Sequence, residues 1–273
     1  MQLLHSATRN YSWGSRTLIP HLQGQPDSDK PVAELWFGAH PGDPSTVDGR
    51  LLNEVIAEDP AGQLGGRVSA EYGERLPFLL KVLAAEEPLS LQAHPSKAQA
   101  EEGFARENAA GIELTASNRN YKDDNHKPEL IVALTDFYAM AGFRPLVRTR
   151  ELFAALECPE LDHYVAMLDD DPSATTESAN LRVLFTTWIT IPSAKRKELI
   201  SAIVAAGERL IAADPADWKS RVMSTVLELN QRYPGDIGVL GALLLNHIEL
   251  SPGEAVYLDA GQLHAYVSGL GVE

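Results

Sequence analysis

Apolar and polar positions alternate in short runs through the first half of the chain, and turn signals separate these runs. A period of two is typical of β-strands that place one face in a core. The clearest predicted strands are the segments 32–39, 77–85, 130–134 and 137–143. The segment 51–57 instead favours a short helix. We therefore expect strands to dominate before Pro145.

The segment 89–94 shows the same alternation, and polar chemistry follows one of its faces. If it is a strand, the polar face carries Ser90, Gln92 and His94. The apolar face then carries Leu89, Leu91 and Ala93. Pro95 would end the strand, and Ser96 with Gln99 forms a capping box for a helix through about Asn108. An ordinary half-exposed strand whose polar face meets water would show the same pattern.

From Leu146 onward, the apolar period changes to that of helices. Helical spacing is found in the segments 151–156, 162–168, 180–189 and 194–213. A last helix is predicted to start at Asp214, with Pro215 in its first turn. Its inner face would carry Trp218, Val222, Val226, Leu229 and Tyr233.

Strands return after this helical part, in the segments 247–250, 255–259 and 260–266. Neither β-rich part alone has enough strands to close a sandwich or barrel. We therefore predict one β domain, formed by 1–146 and 236–273, which a helical insertion at 147–235 interrupts.

Composition and charge narrow the class of protein. The formal net charge of −15 over 273 residues argues against nucleic acid or an anionic membrane as a partner. No apolar run is long enough for a membrane span, and the first residues lack the features of a signal peptide. Cys158 is the only cysteine, so no internal disulfide can form and a cytoplasmic location is expected. An anionic substrate would need cations placed locally at its site.

A small set of side chains offers ligands for a metal ion. The candidates are Gln92, His94, Glu129 and His264. Two imidazoles, a carboxylate and an amide oxygen suit Zn²⁺, with Mn²⁺, Co²⁺ and Fe²⁺ as alternatives. His126, close to Glu129 in sequence, is the nearest rival ligand. With one anionic ligand, such a site would keep a positive charge and could stabilise a developing oxyanion.

Several motifs occur together in a fixed order along the chain. They are Tyr11-x-Trp-Gly14, Ala33-Glu-Leu-Trp-x-Gly-Ala-His-Pro41, Leu89-Ser-Leu-Gln-Ala-His-Pro95, Asn125-His-Lys-Pro-Glu129, Tyr233-Pro-Gly-Asp236, Leu243-Leu-Leu-Asn246 and Ala260-Gly-x-x-His-Ala-Tyr266. In this combination they closely resemble the type I phosphomannose isomerase family, and the resemblance extends from Tyr11 to Glu273.

The resemblance implies a cupin (jelly-roll) catalytic domain interrupted by a helical domain. It implies one zinc ion, bound by the residues that match the family's ligands, namely Gln92, His94, Glu129 and His264. It also implies a sugar-phosphate substrate, and the interconversion of mannose 6-phosphate and fructose 6-phosphate through a cis-enediol(ate). We expect the complete protein to be a monomer.

The resemblance further assigns residues around the substrate. The substrate-binding positions that match are Trp13, Glu34, Lys81, Ser90 and Tyr266. Lys127 and Glu273 match acid–base candidates. The position of Lys81 supports its assignment independently, because a lysine inside an apolar strand is unfavourable unless it has a charged partner. Lys127 would face the same side as Glu129, and a metal close by would lower its pKa. A surface ion pair would account for a lysine at this position equally well.

The family pattern continues beyond Glu273, with an arginine implicated in catalysis, a phosphate-binding lysine and closing strands. We therefore expect the chain to be a truncated form with an open strand edge and little activity of its own. Two other functions stay open at this point. One is a catalytically silent sugar-phosphate binder, and the other is an Fe²⁺-dependent cupin oxygenase, against which Gln92 and the lysines argue.

Overall fold

The computed structural model describes the backbone of residues 2–168 and 174–273 and the side chains of 2–168 and 179–273, so part of the predicted helical insertion lies outside the described residues. The strands are β1 (Leu4–His5), β2 (Ala7–Arg9), β3 (Glu34–Phe37), β4 (Thr46–Val47), β5 (Arg50–Leu51), β6 (Leu80–Ala85), β7 (Glu129–Ala133), β8 (Phe137–Phe143), β9 (Leu245–Leu250), β10 (Ala255–Leu258) and β11 (His264–Val272). The helices are α1 (Leu18–Leu22), α2 (Leu52–Glu58), α3 (Pro60–Tyr72), α4 (Lys97–Ala109), α5 (Leu146–Leu156), α6 (Pro159–Val165), α7 (Ala174–Thr190), α8 (Ser193–Ala213), α9 (Trp218–Arg232) and α10 (Ile237–Ala242). Within these ranges, no helix is both long enough and apolar enough to cross a lipid bilayer.

The long strand β11 holds the antiparallel sheet system together. One path of paired strands runs β10-β7-β11-β6-β3-β2, and β8 branches from β11 to pair with β9. The first part of β11 pairs with β8, for example Tyr266 with Ala139, and its last residues pair with β6 and β7. β11 therefore passes from one sheet layer to the other, and a core can form between the layers.

Gly269 lies where β11 changes partners. Its φ is +123°, a conformation that residues with a side chain rarely adopt. A Cβ atom there would also lie 2.7 Å from the carbonyl oxygen of Asp136 and 2.8 Å from the Phe137 ring. A glycine is needed at this position because the strand bends against a neighbouring backbone.

The buried side chains form separate apolar clusters on the two faces of β11. Tyr266 belongs to a cluster between the sheet layers, together with Leu83, Ile131 and Phe137. Alternate residues of the same strand point the other way, and Ala265 joins the large cluster formed by the helices. The helical part of the chain thus packs directly on the outer face of the β8–β11 layer.

The structure confirms the change of period that the sequence predicts. Strands β7 and β8 lie where the segments 130–134 and 137–143 predict them, and the helices α5 to α9 lie between residues 146 and 232. The predicted capping box is present, since Ser96 Oγ accepts from Gln99 N and Gln99 Oε1 accepts from Ser96 N. The strand predicted for 77–85 is shorter and starts at Leu80.

Other helical predictions need correction. The last helix of the predicted insertion is capped by Asp217 and not by Asp214, because the Asp217 carboxylate accepts from Lys219 N at 2.9 Å. The helices α1, α3 and α10 were not predicted, so the first part of the chain is less dominated by strands than its period indicates. α3 has no buried residue, which explains why no apolar stripe marks it.

The prediction of a regular strand at 89–94 is wrong. The ladder pairing of this segment is limited to a single bridge between Gln92 and His264. Leu89 packs against the cluster between the sheet layers, whereas Leu91 packs against the helical cluster. The two leucines therefore do not share a face, which shows that the period of two is broken between them.

His247 in β9 should make the stability of the fold sensitive to acid. Burial first, and then the positive charge of Arg144, lowers the pKa of His247 from 6.5 to about 4. The unfolded chain takes up this proton near pH 6.5 and the folded protein only near pH 4. The free energy of unfolding should therefore fall as the pH drops through this window. In denaturant unfolding at several pH values, His247→Gln should lose less stability across the window than the wild type, and equal losses would contradict this.

Candidate metal centre and active-site cavity

Three ionisable side chains from distant parts of the chain converge on one point. His94 follows the bridged residue Gln92, Glu129 is the first residue of β7, and His264 is the first residue of β11. Glu129 Oε1 lies 3.0 Å from His94 Nε2, and Glu129 Oε2 lies 3.0 Å from His264 Nε2. The ligand atoms of all three lie within 4.8 Å of one another. The structure therefore brings three of the four predicted ligands together.

The cluster fits a zinc ion in donor type and orientation. His94 Nε2 is buried and has no hydrogen-bond partner in the described part of the chain, although Glu129 Oε1 lies close to it. His264 Nδ1 lies 2.9 Å from the Gln262 carbonyl oxygen, so a proton on Nδ1 leaves Nε2 available to a metal. Two imidazole nitrogens and a carboxylate oxygen are ligands that Zn²⁺ accepts readily.

The electrostatics of the cluster favour a positive charge at its centre. Burial raises the pKa of Glu129, but the close contacts with the His264 and His94 imidazoles outweigh it and hold the pKa well below its ordinary value. Burial lowers the pKa of His264, and the contacts with Glu129 and the Gln262 carbonyl outweigh this and raise it. A divalent cation would supply the same positive charge.

Gln92 and His126 differ clearly in their positions. Gln92 exchanges both backbone hydrogen bonds with His264, at 2.8 and 2.9 Å, and lines the same cavity as His264 and Glu129. Its role as the fourth ligand stays a prediction. His126, the rival ligand, is exposed and does not belong to the cluster found among the described residues.

A cavity of about 590 Å³ lies beside the cluster. The β side of its wall includes Trp13, Glu34, Lys81, Tyr266 and Glu273, together with Ser90. The helical side includes Leu229, Tyr233, Asp236 and Val239. The cavity is large enough for a sugar phosphate, and it gathers the five predicted substrate-binding residues.

A buried charge network crosses the β wall of this cavity. Lys81 Nζ forms an ion pair with the Glu273 carboxylate, and the backbones of the two residues also exchange hydrogen bonds. Burial lowers the pKa of Lys81, but the charges of Glu273 and Glu34 outweigh it and raise the pKa. Burial raises the pKa of Glu34, which accepts a 2.7 Å hydrogen bond from Trp36 Nε1. Lys81 therefore stays a cation, as a site for an anionic substrate requires.

Tyr266 connects the metal cluster to this network. Its hydroxyl donates to Glu129 Oε2 at 3.5 Å, and its ring packs edge-on against Phe137. Burial, followed by the charges of Glu273 and Glu129, raises the pKa of Tyr266 far above its ordinary value. The phenol therefore remains protonated and can act as a hydrogen-bond donor between the two carboxylates.

Lys127 is predicted to take part in the chemistry, but it is not among the residues that line the cavity. Its Nζ lies 3.0 Å from Asp123 Oδ2, and about half of its side chain is exposed, at 49%. This is the surface ion pair that the sequence left open as an alternative. The acid–base role of Lys127 stays a prediction.

The cavity residues that sequence reasoning missed belong mainly to the helical wall, and the others are two aromatic residues on the β side. Tyr11 and Trp36 line the cavity, and Trp36 shares a face with Glu34 in β3, as their spacing of two indicates. Tyr233 and Asp236 lie in the Tyr-Pro-Gly-Asp motif. That motif was a signal for the site, but nothing in the sequence shows which surface it faces.

The comparisons with known proteins agree with this geometry. Residues 1–146 match the family model described as phosphomannose isomerase type I, catalytic domain. The mannose-6-phosphate isomerase of Escherichia coli (strain K12) is 39% identical over 281 residues, which cover 100% of this chain and 68% of that protein. The chain belongs to the type I phosphomannose isomerase family. Mannose-6-phosphate isomerase 2 of Arabidopsis thaliana is another relative, 35% identical over 100% of this chain and 64% of that protein.

The fold is also that of solved members of the family. A crystal structure of mannose 6-phosphate isomerase from Salmonella typhimurium, bound to its substrate fructose 6-phosphate and to zinc, superposes with a TM-score of 0.86 at 36% identity. The match covers 100% of this chain and 67% of that one. The prediction of a cupin-type β fold with a helical insertion is therefore confirmed, and the chain spans about two thirds of the length of these phosphomannose isomerases.

Proposed function

We propose that this chain is a zinc-dependent aldose–ketose isomerase that interconverts mannose 6-phosphate and fructose 6-phosphate. The observation that carries the proposal is the convergence of His94, Glu129 and His264 beside a cavity that holds a buried cation, Lys81. Membership of the phosphomannose isomerase family supports the same substrate pair.

The zinc ion would be held by His94, Glu129 and His264, with Gln92 as the predicted fourth ligand. Zinc supplies, when bound, a Lewis acid that polarises sugar oxygens and stabilises negative charge on them. Glu129 is held ionised by its two imidazole partners, and the Gln262 carbonyl fixes the tautomer of His264.

Lys81 would bind the phosphate or a sugar hydroxyl of the substrate. Among the described residues that line the cavity, it is the only lysine or arginine. Its side chain is 22% exposed, so it reaches the cavity while its positive charge stays next to Glu273 and Glu34. A phosphate dianion in a protein of net charge −15 needs such a local cation.

Glu273 is the better placed of the two acid–base candidates. Its carboxylate lines the cavity and is only 8% exposed, whereas Lys127 is turned toward Asp123. In the proposed reaction, a Glu273 oxygen takes the proton from C2 of mannose 6-phosphate and returns it to C1. The hydroxyl proton moves from O2 to O1, so that the cis-enediol(ate) collapses to the ketose. Tyr266, which stays protonated, would hold the carboxylates in place.

The division of the chain into domains follows the same family pattern. We propose a cupin domain of 1–146 and 236–273 with a helical insertion at 147–235, supported by the helices α5 to α9, which lie almost wholly within the insertion. A monomeric state and a cytoplasmic location stay predictions.

The proposed reaction can be tested in heavy water. Zinc-loaded protein incubated with mannose 6-phosphate in D₂O should form fructose 6-phosphate, and part of that product should carry deuterium at C1. The deuterium would come from exchange of the proton while Glu273 holds it. Conversion without any label would contradict an exchangeable carboxylate base. Even the low rate that the sequence predicts for this chain is enough to measure the label on long incubation, so a complete absence of conversion would contradict the function. Oxygen uptake with Fe²⁺ would instead favour the oxygenase.

A further inference from the structure

The segment 87–92 carries Ser90 and Gln92 to the cavity, but β11 alone does not determine its path. Leu89 N donates to Tyr266 O at 2.9 Å, and Gln92 N donates to His264 O at 2.8 Å. Three steps along the segment are thus matched by two steps along β11. One residue is in excess, as in a β-bulge, and the side chains between the anchors lose the orientation that a ladder would impose.

The segment is contacted from the opposite side by the corner between α9 and α10, residues 232–242. The Tyr233 hydroxyl donates to the Pro88 carbonyl oxygen at 3.2 Å. Arg232 Nη1 lies 2.7 Å from Glu87 Oε1 in a partly exposed ion pair, and such pairs contribute little. Tyr233 is also 42% exposed, but its hydroxyl binds the backbone of the segment itself and so acts directly on the path of the segment.

Leu91, which lies within the bulge, contacts the backbone of the same corner. A Cβ atom built on Gly241 would lie only 2.6 Å from Leu91 Cδ1, and one on Gly238 would lie 3.8 Å from it. Leu91 thus occupies space that any side chain at 241 would need. Leu91 packs against the helical cluster at the edge of the cavity, and its neighbours Ser90 and Gln92 line the cavity with it, so the position of Leu91 affects both.

The corner is itself held firmly. Arg196 Nε donates to Gly235 O at 2.9 Å, and Gly235 N donates to Asn230 Oδ1 at 3.2 Å. Asp236 Oδ1 accepts from Gly238 N at 2.7 Å and so caps α10. These contacts tie the corner to α8 and α9, and it can therefore act as a fixed support.

We propose that Tyr233 and Gly241 are positioning residues, which set the bulge at 89–92 and thereby aim Gln92 at the metal cluster and Ser90 at the substrate. This assigns a role to the Tyr-Pro-Gly-Asp motif. The proposed effect of Ser90 on the substrate rests on the proposed isomerase function. The proposed effect on zinc affinity acts through Gln92 and does not depend on that function.

Two small substitutions test the proposal. Tyr233→Phe removes only the hydroxyl, and Gly241→Ala adds only the methyl group that meets Leu91. Each should lower the affinity for zinc, measured by competition with a chelator, by about 10–100-fold, the range for residues that orient metal ligands. Each should lower kcat for mannose 6-phosphate more than it raises KM. Tyr257→Phe is the matched control, because Tyr257 is 59% exposed on β10, and it should match the wild type.

A rescue variant separates positioning from a loss of stability. Leu91→Val deletes the atom that an alanine at 241 would meet, so Gly241→Ala combined with Leu91→Val should recover zinc affinity relative to Gly241→Ala alone. Wild-type zinc affinity in both single variants would overturn the proposal, as would a double variant that is weaker than Gly241→Ala. If the wild type binds zinc but converts no mannose 6-phosphate, the isomerase function fails, while the zinc measurements still decide the positioning role.

Discussion

Replacing His264 with alanine is expected to abolish zinc binding and, with it, the isomerase activity. The imidazole is 5% exposed, its Nε2 faces Glu129, and its Nδ1 is fixed by the Gln262 carbonyl. No other histidine, cysteine, aspartate or glutamate in the described part of the chain belongs to the cluster. Bound zinc should fall from about one ion per chain to near none after dialysis. Turnover should fall by at least about 10²–10³-fold, as when a preorganised charge-stabilising group is lost.

His126→Ala is the control for this prediction. His126 lies three residues from Glu129 in sequence, but it is exposed and outside the cluster. The His126→Ala protein should keep the zinc content and the turnover of the wild type. Elemental analysis measures the zinc content, and a coupled assay of fructose 6-phosphate measures the turnover. Zinc retained by His264→Ala but lost from His126→Ala would mean that the ligand set is wrong.

Replacing Glu273 with glutamine is expected to reduce turnover while zinc stays bound. The glutamine keeps the size of the side chain but cannot take the C2 proton, and loss of a positioned general base typically costs about 10²–10⁴-fold. The metal should be unaffected, because Glu273 pairs with Lys81 and does not belong to the ligand cluster. Steady-state kinetics and zinc analysis on the same preparation measure both quantities.

Lys127→Ala provides the comparison that assigns the base. The Lys127 side chain is 49% exposed and paired with Asp123, so its removal should reduce kcat less than Glu273→Gln does. If Lys127→Ala reduced kcat by more, with zinc content unchanged in both, Lys127 and not Glu273 would be the principal acid–base residue.

Much of the site was predictable because its residues sit at the ends of strongly patterned segments. The apolar run of β7 begins at Glu129, and the capping box at Ser96 fixes the helix that follows His94. His264 lies within the segment 260–266, which the sequence predicts as a strand, and the observed strand β11 begins at His264. These are local signals, and the structure confirms that three of the predicted ligands converge.

The parts that could not be predicted depend on contacts between distant residues or lack an apolar period. The bulge at 89–92 arises from pairing with β11, whose residues lie far along the chain, and alternation in the segment itself hides the extra residue. Tyr233 and Pro88 are 145 positions apart. In α10, Val239, Leu240, Gly241 and Ala242 are all buried, so no amphipathic stripe distinguishes it.

The most direct test of the account is a zinc titration of metal-free protein, followed by conversion of mannose 6-phosphate to fructose 6-phosphate. Because one cluster of His94, Glu129 and His264 lies beside the cavity, activity should rise with added zinc and reach its plateau at about one ion per chain. The Glu273→Gln protein should bind the same amount of zinc without gaining comparable activity. Conversion that is already complete in the metal-free protein, or that stays absent after one zinc ion is bound, would contradict the zinc-dependent isomerase proposed for this site.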